Sequence, residues 1–75
     1  MDYYLIDPNQ SNGTNLWLIS KVPATEYHDG MQLPCGGSTI NGTDLVRTGQ
    51  ITVICTNPPG GKSLKVDVYN KKTEI

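Results

Sequence analysis

The sequence predicts an all-β domain of antiparallel strands, and three observations carry the prediction. Between Lys62 and Tyr69 the chain alternates cleanly, with Leu64, Val66 and Val68 on one face and Lys65 and Asp67 on the other. Such alternation is the mark of a strand with one face in a core and one in water. The polar content is supplied by Asn, Thr, Ser and Gly, while charged residues make up only 17% against about 25% in ordinary domains. Thr favours strands, and Asn and Gly favour turns. Finally, no segment combines a 3.6-residue period with helix caps.

The elements follow in order. A first strand is expected over residues 2–6, then a turn-rich loop from Asp7 to Gly13. A second strand runs from about Thr14 to Lys21 and is closed by Val22-Pro23, because proline cannot donate to a ladder. Residues 23–37 read as the longest irregular stretch, ending in Gly36-Gly37; loops of this length are either functional or surface crossovers. A short strand at 38–40 is allowed. Strands at 44–47 and 50–56 are expected to meet as a hairpin across Thr48-Gly49. Asn57-Pro58-Pro59-Gly60-Gly61 then turns the chain into the strand at 62–69. The strings Asn12-Gly13-Thr14 and Asn41-Gly42-Thr43 echo each other, and shared turn chemistry accounts for the match better than duplication. With Asn9-Gln10-Ser11 they are the three sequon-like triplets, all read as turns.

Seventy-five residues make one domain, 1–75, near the lower limit for unaided folding. The expected architecture is a small antiparallel barrel, SH3-like or similar, or a compact two-sheet sandwich of four to six strands.

Charge excludes more than it identifies. The formal net charge is −1 and the basic residues are scattered, so no stripe exists to neutralise phosphates, and no nucleic-acid partner is expected. Apolar runs such as Leu16–Ile19 are four residues long, far short of the roughly 20 that a membrane helix needs, and no membrane partner is expected. The start, Met1-Asp2-Tyr3-Tyr4, has neither a basic nor an apolar signal region. The expected location is the cytoplasm, or a particle assembled there.

No catalytic residue, metal site or cofactor is expected. His28 is the only histidine, and Cys35 and Cys55 are the only cysteines, at no zinc-type spacing. The two could close one disulfide, worth roughly 3 kcal/mol, but without a secretory signal free thiols are the default expectation for them. A Cys nucleophile would have His28 as its sole base, and two residues do not define such a site. Glu26-Tyr27-His28-Asp29-Gly30 gathers potential ligands, but a turn ending in Asp-Gly explains it. Pro59-Gly60-Gly61-Lys62-Ser63 resembles the end of a phosphate loop only superficially: the first required glycine is Thr56, and a strand follows instead of a helix.

The apolar pattern carries the functional expectation. Residues 2–6 and 16–19 are apolar on both faces, and strands of that kind need cover on both sides. On the second strand Leu16 and Leu18 are read as the core set, which turns Trp17 and Ile19 outward among the polar neighbours Asn15 and Lys21. With Tyr3 and Tyr4 they form the expected contact surface of a non-catalytic interaction or assembly module. Its partner is expected to be itself, as a homo-oligomer, or a larger assembly such as a bacteriophage particle. The alternative expectation is a small intracellular binder that sequesters a ligand or blocks a protein through the 23–37 loop. Tyr27, His28 and Asp29 would then make the contacts, with the aromatic rings stacking on a sugar, a base or another flat ligand.

Overall fold

The computed structural model describes residues 2–56 and 61–72, which form six strands and no helix. The strands are β1 (Asp2–Asn12), β2 (Asn15–Pro23), β3 (Gln32–Leu33), β4 (Ser38–Asn41), β5 (Leu45–Cys55) and β6 (Lys62–Lys71). They make one sheet in the order β3-β5-β6-β1-β2-β4, antiparallel throughout except for the short parallel pair β3–β5. The turn expected at 57–60 lies outside the described residues.

The sheet is curled into a half-barrel. Topology alone demands the curl. β4 and β5 stand four places apart in the order, about 19 Å across a flat sheet. The chain covers that gap between Asn41 and Leu45, where it reaches at most about 14 Å. Gly42 N donates to Thr14 O (2.7 Å) and Lys72 N to Asp44 O (2.9 Å), so this turn is tied to both flanks it joins. The two Asn-Gly-Thr strings therefore meet, doing different work. Gly13, at φ 58°, makes the tight β1–β2 turn, while the Asn41 carboxamide oxygen accepts from Thr43 N and shapes the crossover.

Three irregularities set which side chains share a face. Leu5 pairs with Ser20 and Ile6 with Leu18, so Ile19 is an extra residue in β2 and the alternation shifts there. Between the pairs Asp7–Trp17 and Asn12–Asn15, β1 advances five residues while β2 advances two. The expected loop at 7–13 is thus a large bulge inside β1, and the strand extends well past Ile6. Ser11 replaces the missing ladder: its hydroxyl donates to Asp7 O (2.6 Å) and accepts from Trp17 N (2.8 Å). The Asp7 carboxylate accepts from Asn9 N (2.9 Å) and Gln10 Nε2 (3.2 Å), which lets it sit buried.

The third irregularity corrects the expected hairpin. β5 runs unbroken from Leu45 to Cys55 against β6, and Thr48 is the extra residue between the Arg47–Tyr69 and Gly49–Val68 pairs. Its hydroxyl bonds Val68 O at 3.1 Å. Thr-Gly serves a bulge as readily as a turn, since both need one residue out of step beside a permissive one.

Both faces of the sheet hold apolar clusters. The front face gathers Leu5, Val53, Val66 and Val68, all fully buried, with Ile19 and Val22. Each such side chain contributes about 1.5–3 kcal/mol. The segment 24–37 lies across this face, burying Met31 and Leu33 there and pinned to β5 by Gly30 N–Thr52 O (2.7 Å) and Ile54 N–Met31 O (2.8 Å). The back face gathers Ile6, Leu16 and Leu45 beneath the 42–44 turn.

Candidate functional site

The strand-two expectation is met at Leu16, which is buried, and overturned at Ile19 and Trp17, which pack inward instead of facing out. Trp17 and Ile19 belong to the front face: Ile19 is buried in the main cluster and Trp17 packs against it half-buried. Leu16 and Leu18 belong to the back face, Leu16 buried and Leu18 half-buried. Period-two alternation separates the two sets correctly. What decides the core is the segment that returns across the front face, which is a tertiary event. Tyr3 and Tyr4 divide in the same way. Tyr3 faces front and stacks on Tyr27, ring centroids 4.8 Å apart, whereas Tyr4 faces back beneath the Lys21 ammonium, 5.9 Å from its ring.

Cys35 and Cys55 are joined in a disulfide, Cα atoms 5.3 Å apart, which replaces the expected free thiols. The link fixes the end of the long segment to β5 and leaves neither sulfur as a nucleophile for His28. Cys35 holds a left-handed backbone at φ 47°, the one such non-glycine among the described residues.

The bond also walls a cleft of about 340 Å³ on the front face. Trp17, Ile19 and Leu64 supply its apolar surface, and the disulfide and Gly37 form one side. Asp7, Gln10, Lys62 and Ser63 place polar groups around it. Gly37 approaches the indole so closely that any side chain there would collide with Nε1, Cε2 and Cζ2. Of the residues expected to act, the cleft therefore collects Trp17 and Ile19.

Tyr27, His28 and Asp29 stand elsewhere, in the turn that crosses to β5. Asp29 is an anchor: its Oδ1 accepts from Thr52 N at 2.8 Å. His28 is exposed, with Nδ1 3.0 Å from Asp29 O. No group of three or more metal-ligating side chains occurs among the described residues. Lys62 and Ser63 open a strand, as the failed phosphate-loop pattern requires.

The back face is the second feature. Tyr69 on β6, Tyr4 on β1, Leu18 on β2 and Ile40 on β4 form a half-buried apolar band around the Ile6–Leu16–Leu45 cluster. Beside Ile6 lies Asp67, which accepts from Gln50 Nε2 (3.0 Å) and pairs with Arg47 Nε (3.3 Å). The Arg47 side chain is 53% exposed, and so is that of Lys21, which pairs with Asp2 at 3.8 Å. Charges of both signs thus border the band.

No protein-family model, curated protein or solved structure matches the chain.

Proposed function

We propose that the chain is a non-catalytic assembly module whose back face docks on a second copy of itself. The observation that supports this is the band Tyr4–Leu18–Ile40–Tyr69, apolar and half-buried across four neighbouring strands. Aromatic rings with one polar tip suit such contacts. The surrounding pairs carry both signs, Lys21 with Asp2 and Arg47 with Asp67, so two copies related by a two-fold axis can offer each other opposite charges. A formal net charge of −1 adds little repulsion between copies. A small structural subunit of a multi-copy particle, a virion decoration or tail component among them, is the setting this reading favours.

Of the residues expected from sequence, Tyr4 remains in the contact surface; Leu18, Ile40 and Tyr69 join it, and Tyr3, Trp17 and Ile19 leave it. A dilution series followed by amide NMR shifts tests the assignment. Shifts that move with concentration at residues 4, 18, 40 and 69 support the back face. Movement confined to the Trp17 cleft or to residues 26–30 contradicts it.

A further inference from the structure

We propose that the Trp17 cleft is a binding site for a neutral carbohydrate ring, a role independent of assembly through the back face. The cleft, at about 340 Å³, lies at the small end of ligand pockets and suits one or two sugar rings. Its lining combines the two surfaces that a pyranose needs. The Trp17 indole with Ile19 and Leu64 offers an apolar wall for the C–H face of the ring. Asp7, Gln10, Lys62 and Ser63 offer donors and acceptors for the hydroxyl edge.

Charge narrows the class. One carboxylate and one ammonium balance each other, so the cleft selects neither an anion nor a cation. The Asp7 carboxylate already accepts from Asn9 N and Gln10 Nε2, which fixes its direction and leaves lone pairs for a sugar hydroxyl.

The walls are built in advance. The Cys35–Cys55 disulfide fixes one side of the cleft, Gly37 in the strap formed by residues 24–37 packs against the indole, and Ser11 fixes the Trp17 backbone. Preformed walls reduce the ordering cost of binding a small polar ligand.

Trp17 is the sole tryptophan, so its emission reports on this cleft alone. The oxidised full chain is titrated with six neutral sugars (glucose, galactose, mannose, N-acetylglucosamine, maltose and cellobiose) and with the charged galacturonate and glucosamine, up to about 100 mM, well beyond the millimolar affinities of weak sites. At least one of these neutral sugars is expected to shift the emission saturably. Gln10→Ala and Lys62→Met, both at exposed positions, are each expected to raise the half-saturation concentration about fivefold, the loss of one hydrogen bond. His28→Ala, outside the cleft, leaves it unchanged. Silence across all six sugars overturns the proposal. So does a response confined to galacturonate or glucosamine, or one that Gln10→Ala and Lys62→Met leave intact while their melting curves show a folded chain.

Discussion

Gly37 rests directly on the indole of Trp17, leaving no room for a β-carbon between the strap and the ring. This contact joins the longest irregular segment to β2 and explains why a tryptophan read as outward belongs to the covered face. Gly37→Ala must displace either the indole or the strap. The expected cost is about 1–3 kcal/mol, as for other overpacked sites. Thermal denaturation followed by Trp17 emission measures it; an unchanged midpoint with unchanged emission would show that the strap is not seated on the ring.

The disulfide closes a sequence separation of 20 residues, for which the stabilisation is about 3 kcal/mol. In a domain of this size, reduction should lower the melting temperature by on the order of 15 °C. Calorimetry with and without a reductant checks this, and superimposable curves would rule the bond out as a stabiliser. Cys35 adds a finer test because it sits at φ 47°. With Cys55 replaced by Ala, Cys35→Gly should be more stable than Cys35→Ser by about 1 kcal/mol, the left-handed cost that glycine escapes.

His28 and Asp29 are neighbours with opposite predicted consequences. The His28 side chain is exposed, so His28→Ala should change stability by less than about 0.5 kcal/mol. Asp29→Ala removes the acceptor of Thr52 N and loosens the segment over the front face, with an expected loss of about 1–2 kcal/mol. Urea unfolding of the two variants separates them. Equal midpoints would mean that the Asp29 carboxylate does not anchor the segment.

Much of the fold is local and could be read from the chain. The alternation of Leu64, Val66 and Val68 places them on the front face as expected, and the Asn-Gly string does mark the β1–β2 turn, although Gly13 and Thr14 form it while Asn12 stays paired in β1. The two-sided apolar character of residues 2–6 and 16–19 also has its counterpart, one cluster on each face. What could not be read is which cluster a distant segment covers. Nothing within Leu16–Ile19 tells that Met31 and Leu33 will join Ile19 in one buried cluster and that Leu18 will remain half-buried. Cys35 and Cys55 meet only because the 24–37 segment returns past the end of β5, and no spacing encodes that. Thr48-Gly49 misled for a different reason: a bulge and a turn ask for the same residues, and only the partner strand β6 distinguishes them.

Light scattering on the untagged chain over a range of concentrations, beside Leu18→Lys, tests the assembly account most directly. The account predicts that the wild-type mass rises from 8.2 kDa to a multiple of it, while Leu18→Lys stays at the monomer mass with its front-face core and Trp17 emission intact. A wild-type chain that remains monomeric at every concentration, or a Leu18→Lys chain that associates equally well, would contradict the back face as the contact between copies.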